Sequence, residues 1–148
     1  PLTPRQFFAA KTIMGLALAF LQLLILVAVT GKLGSAPLIT MATLLAGSLL
    51  ATALAFLVAA VASDLMSVLA WSVLGLVILV LPALTLLFPT LATRWMTYIP
   101  SFYFVDTLYL ALNFGAGWSA VGTNLLILTM TGVVALVAGM TLLGSRLQ

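Results

Sequence analysis

Apolar residues run almost unbroken along this chain, and seven charges interrupt them. Arg5, Lys11, Lys32, Asp64, Arg94, Asp106 and Arg146 leave uncharged runs over 12–31, 33–63, 65–93 and 107–145. A helix rises about 1.5 Å per residue, so roughly 20 residues cross a hydrocarbon core of about 30 Å. The charges therefore read as loop markers between spans. Glycine and proline agree with them: Gly31-Lys32-Leu33-Gly34 closes the first run, Pro37 opens the second, and Asn113-Phe114-Gly115-Ala116-Gly117 breaks the last. Spans are predicted over about 12–30, 38–62, 66–88 and 118–143.

Two stretches depart from this pattern. Residues 1–11 are amphipathic, with Phe7 and Phe8 set among Arg5, Gln6 and Lys11 and with Pro1 and Pro4 suited to a helix entry. They predict an interfacial helix leading into the first span. Residues 89–117 hold Trp95, all three tyrosines, Pro89, Pro100, Arg94 and Asp106. Tryptophan and tyrosine favour the membrane–water boundary. The segment is too apolar for a solvated loop and too broken for a span. Two short helices over about 90–98 and 101–112, dipping into the interface or re-entering the bilayer, satisfy both facts.

Composition narrows the class. Hydrophobic residues are 65% of the 148 and charged residues 5%, and the mean hydropathy is +1.38. A water-soluble domain of this size needs far more charge to cover its surface. The expected architecture is a single all-α polytopic membrane domain over 1–148, with the lipid bilayer as a partner. The pI near 9.8 comes without a basic cluster interleaved with aromatics, so no nucleic acid is implied. The absence of cysteine excludes disulfides, thiol catalysis and cysteine metal sites. The chain opens on Pro1 rather than Met and reads as a piece of a longer protein. Residues 1–30 imitate a signal peptide only loosely, because the apolar run exceeds a usual h-region. Four spans put Arg5, Lys11 and Arg146 on one side and Lys32 and Arg94 on the other, a narrow vote for cytoplasmic chain ends.

The polar and small residues inside the spans are the next candidates. Gln22 reads first as a hydrogen bond to a neighbouring helix and second as a substrate contact. Gly47, Ala51, Ala55, Ala59 and Ser63 recur every four residues on one face. Packing within the chain is the first reading, and a dimer interface or transport path the second. Ala135 and Gly139 repeat the spacing in the last span. Asp64 suits an N-cap, and Pro82 suits a kink.

Catalytic chemistry is poorly represented. There is no histidine and no glutamate, and the two aspartates fall in separate loops, so triads and paired carboxylates are not expected. Gly117-Trp118-Ser119-Ala120 is a faint nucleophile motif with no base beside it. No phosphate-binding loop surrounds Gly31-Lys32. No catalytic, metal or cofactor residues are assigned. Proton-driven carriers usually hold a carboxylate inside a span. Here both carboxylates read as span-end residues, which favours an energy source on another subunit.

The order of features resembles the membrane domain of ABC-2-type transporters, the permease of a class dominated by exporters. That family carries a pattern near T-P-x-S-R-x6-G-K in the coupling segment before its third span. Pro1-Leu2-Thr3 and Lys11 fall at the matching spacing, whereas Pro4 takes the basic position, Arg5 follows it and Ala10 replaces the glycine. The family's excursion between spans five and six is similar to Phe88-Pro89, Arg94-Trp95-Met96, Ile99-Pro100 and Phe104-Val105-Asp106. The resemblance covers the whole chain and implies that its spans are the family's third to sixth, with two more before Pro1. It further implies a second permease half around a central path and a cytoplasmic ABC ATPase that binds ATP. The ATPase-coupling residues would be Pro4, Arg5, Phe7, Phe8 and Lys11. An outer gate would be formed by Arg94, Trp95, Pro100 and Asp106, with Arg94 and Asp106 either paired as a latch or anchored separately. The location implied is a prokaryotic cell membrane with both ends cytoplasmic. The competing expectation is a non-transporting membrane scaffold or assembly subunit.

Overall fold

A computed structural model of the chain describes residues 4–91 and 94–146, with side chains from Gln6 onward. Five helices follow in order: α1 (Pro4–Val29), α2 (Pro37–Val61), α3 (Leu65–Leu87), α4 (Pro100–Phe114) and α5 (Trp118–Arg146). Two 3-10 turns, Pro89–Leu91 and Arg94–Tyr98, stand between α3 and α4. Among the described residues there is no strand. Helices α1, α2, α3 and α5 are long and apolar enough to cross a bilayer. The protein is an all-α, multi-pass membrane protein.

The helix ends follow local chemistry. Pro37 occupies the first turn of α2, where a missing N–H costs nothing. Gly31 (φ 69°) and Gly115 (φ 58°) supply the left-handed residues after α1 and α4. Asp64 caps α3: its carboxylate accepts from the Ser67 N–H at 2.8 Å, and the Ser67 hydroxyl accepts from the Asp64 N–H at 3.3 Å. The Ser67 N–H, then the Ser67 and Ser63 hydroxyls, hold the Asp64 carboxyl below its ordinary value of 3.8. The cap is therefore complete above the ordinary carboxylate range and is lost as pH falls through the depressed value.

Two elements differ from the sequence expectation: the short helix expected over about 90–98 is instead the 3-10 turns Pro89–Leu91 and Arg94–Tyr98, and the first span begins earlier. Residues 4–11 are no separate interfacial helix but the first turns of α1, which runs 26 residues without a break. At about 1.5 Å per residue that is roughly 39 Å, longer than the hydrocarbon core. Pro4 stands at the helix start, and nothing between Gln6 and Gly31 stops the helix.

The bundle is organised around α2. Ile39, Ala46 and Leu50 of α2 form a core with Ala111 of α4 and with Val121, Leu125 and Leu128 of α5. Two buried hydroxyls on α2 are satisfied locally: Thr43 donates to the Ile39 carbonyl at 2.7 Å and Thr52 to the Ser48 carbonyl at 2.8 Å, whereas the buried Thr40 hydroxyl has no partner among the described residues. Glycines let α5 approach. A Cβ on Gly139 would lie 2.9 Å from the Phe56 Cβ and 3.1 Å from the Leu57 nitrogen, and one on Gly132 would lie 3.2 Å from the Leu49 side chain. Helix α1 crosses α2 where Gly15 faces Thr52. Helix α3 leans on α4 and the first 3-10 turn more than on α2.

The small-residue face of α2 is not the seam with α5. Gly47 faces the Phe104 ring, whereas Ala51, Ala55 and Ala59 are exposed. The face that does meet α5 carries Ala46, Leu50, Ala53, Phe56 and Ala60, all buried.

The glycine seam yields a direct expectation. Gly139→Ala should destabilise the bundle by about 1–3 kcal/mol, because the added methyl meets backbone across the seam. Gly122→Ala on the same helix meets nothing within 4 Å and should be neutral or stabilising by up to about 1 kcal/mol through helix propensity. Thermal unfolding of the two variants in one detergent compares them.

Candidate functional site

The segment between α3 and α5 is the structure's least regular part, and Pro89 begins it by ending α3. The chain does not stay at that level. The Ser101 hydroxyl donates to the Leu79 carbonyl at 2.7 Å. Leu79 lies eight residues before Leu87, so the tip around Tyr98–Ser101 sits about 12 Å back along α3. Pro82 lacks the backbone N–H that would bond the Ile78 carbonyl, and the Ser101 hydroxyl enters the helix one residue away, at Leu79. Pro82 is fully buried beneath this contact.

From the tip, α4 climbs back between α2 and α5. Pro100 occupies its first turn. Phe104 lies over Gly47, Ala111 is fully buried in the core, and the Asn113 amide oxygen accepts from the Lys32 ammonium. At Gly115 an added Cβ would stand 3.3 Å from the Ser35 carbonyl. The α4 exit thus lies at the same end of the bundle as the α1–α2 connection. The opposite end gathers the α1 entry, the α2–α3 turn and the α5 terminus. There Phe8 packs on Phe56 with ring centroids 6.2 Å apart, and an Arg146 guanidinium nitrogen donates to the Ala62 carbonyl at 3.4 Å.

The expected gate residues divide. Pro100 sits at the tip. Arg94 and Trp95 open the second 3-10 turn, both exposed. Asp106 lies one and a half turns up α4, where its carboxylate accepts from the Asn124 amide at 2.8 Å. Among the described residues it forms no ion pair with Arg94. The latch is replaced by an aspartate–asparagine bond, because residue 106 faces α5 while Arg94 belongs to the descending limb.

The expected coupling residues divide as well. Phe8 turns inward onto Phe56. Phe7 is 41% exposed, and the Lys11 ammonium stands 4.6 Å from its ring centroid. The side chains of Pro4 and Arg5 lie outside the described ones.

Two apolar grooves flank the exposed alanines of α2. One, of about 520 Å³, lies between α1 and α2, with Lys11 at one end and Gln22 at the other. The second, of about 670 Å³, lies between α2 and α3, with Trp71, Gly75, Tyr98 and Pro100 in its wall. Ala51, Ala55 and Ala59 belong to both. The tip at Tyr98–Pro100 thus forms part of the second groove's wall, and no charged side chain lines that groove. Such a surface suits apolar or amphiphilic molecules rather than ions. Gln22 is exposed and makes no described hydrogen bond to a neighbouring helix.

Sequence reasoning did not single out Ser101, Asn124 or Gly132. Asn124 carried a usable signal, a lone amide in an apolar run, the same signal that drew attention to Gln22. Ser101 carried a weaker one, a hydroxyl directly after a helix-starting proline.

No protein-family model, curated protein or solved structure matches this chain.

The contacts of α4 set the next expectation. Asp106→Ala should lower stability by about 1–3 kcal/mol by leaving the partly buried Asn124 amide unpaired, and Ser101→Ala by about 1 kcal/mol. Arg94→Ala should stay within about 0.5 kcal/mol, as an exposed change does. Thermal unfolding in detergent checks all three; a cost at Arg94 equal to that at Asp106 would restore the ion-pair latch.

Proposed function

We propose that this chain is the membrane-spanning permease part of an ATP-driven ABC-2-type exporter. The observation that carries the reading is the broken aromatic segment before the last span, which folds back to the middle of α3 and returns as α4. In this reading a cytoplasmic ATPase subunit or domain binds ATP and docks on the start of α1. A second permease half completes the path, and the ATPase cycle switches it between inward and outward access. The chain ends face the cytoplasm of a prokaryotic cell, and the end with Lys32 and Asn113 faces outward.

The geometry supports particular roles within that scheme. Phe7, exposed near the start of α1, is the aromatic contact offered to the ATPase, with Pro4 and Arg5 beside it in sequence. Phe8 ties that start to α2, so movement imposed on α1 reaches the bundle through packed rings. The α2–α3 groove is the chain's share of the path. The tip from Tyr98 to Pro100 is its outer closure, with Trp95 and Arg94 on the limb that leads to it. The groove's apolar walls suit lipids, drugs or lipid-linked molecules.

Purification from the native membrane in mild detergent should retain an ABC ATPase. A cysteine placed at Trp95 should change its reactivity toward a membrane-impermeant maleimide between the nucleotide-free and vanadate-trapped states. Isolation without an ATPase, together with reactivity that ignores nucleotide, would overturn the proposal and favour the scaffold reading.

A further inference from the structure

The α1–α2 groove shares Ala51, Ala55 and Ala59 with the proposed path but has its own wall on α1, and its chemistry changes along its length. On α1 it is walled by Met14, Gly15, Leu18 and Ala19, and on α2 by Ala51, Ala55 and Ala59. The small side chains leave the space open, and the walls are apolar throughout the middle. Lys11 stands at one end and Gln22 at the other. Eleven residues separate them, about 16 Å along the helix. That is close to half of a hydrocarbon core about 30 Å thick, the depth of one leaflet.

Positive charge collects at the Lys11 end. Leu143 of α5 reaches this groove, and Arg146 follows one turn later, its guanidinium exposed at the Ala62 carbonyl. The Lys11 ammonium is exposed and rests over the Phe7 ring. Asp64 keeps its charge within the α3 cap, so Lys11 and Arg146 leave a net positive charge of one at this end. The groove therefore joins a cationic mouth to an apolar trough about 16 Å long.

We propose that this groove holds one anionic phospholipid from the leaflet on the Asp64 side of the bundle. Its phosphate meets Lys11 and Arg146, and one acyl chain lies between α1 and α2 along Gly15, Ala19, Ala55 and Ala51, ending near Gln22. A basic site between helices next to the membrane surface is a general form of headgroup recognition. The site does not depend on the transport reading, since a scaffold with this fold would carry it equally.

Native mass spectrometry of the full chain, with phosphatidylglycerol or phosphatidylcholine added in equal amounts, tests the site. The protein should retain one phosphatidylglycerol in preference to phosphatidylcholine. Lys11→Ala and Arg146→Ala should each weaken that retention roughly fivefold, the effect of one cation near a headgroup. Ala55→Trp, which fills the trough while keeping both cations, should abolish the preference, and Leu74→Trp on the exposed face of α3 should leave it intact. Equal retention of both lipids, or an Ala55→Trp protein that still prefers phosphatidylglycerol, would overturn the proposal. So would a disulfide between two copies carrying Ala19→Cys, which would show a second copy in the groove.

Discussion

The close approach of α5 to α2 is the constraint on which the rest of the bundle depends. In lipid, apolar faces gain little by meeting one another, so helices associate where small residues let backbones pack. Gly132 and Gly139 supply that contact. Helix α2 is consequently half buried along its most apolar window, whereas the corresponding windows of α1 and α3 are 6% buried. Those two helices are attached at points: α1 at Phe8 and Gly15, and α3 at Pro82. Helix α4 rests in the angle between α2 and α5, so its position follows from theirs.

This arrangement sets a packed unit beside two less buried helices. The α2–α5 pair with α4 is a packed unit, and α1 and α3 stand on either side of it with open grooves between. The Ser101 hydroxyl at the tip bonds the Leu79 carbonyl, three residues before Pro82, so the tip is tied to α3 beside its proline. Movement of α3 against α2 would carry the tip with it. Asp106 also takes on a different role here than its sequence position implies. It sits inside the fold, bonded to a neutral amide on α5, and holds α4 in its angle. The sequence argument that took both carboxylates for span-end residues therefore fails at Asp106.

The second, third and last spans were legible to within three residues, because charge and turn residues mark the ends of membrane helices strongly, whereas α1 starts eight residues before the expected span because Arg5 and Lys11 do not end a helix. That residues 89–117 form neither a loop nor a span was legible too, because Pro89, Pro100, Trp95 and the tyrosines contradict both. Helix faces were not. In a bilayer a lipid-facing leucine and a partner-facing leucine have the same chemistry, so the periodicity that reveals the buried face of a soluble helix is lost. The stripe of Gly47, Ala51, Ala55 and Ala59 therefore announced close packing that only Gly47 makes. The charges of Arg94 and Asp106 likewise invited a pair. Which way residue 106 faces depends on the path of α4, which the one-dimensional pattern does not contain.

The depth of Tyr98 tests this account most directly. Tyr98 is 85% exposed at the tip, so a spin label in its place reports position without disturbing the core. Collision rates with oxygen and with a water-soluble nickel chelate should place a label at 98 as deep as one at Leu76 and deeper than one at Phe114. A label at 98 that meets the nickel chelate as readily as one at Phe114 would put the segment at the interface and contradict the re-entrant fold.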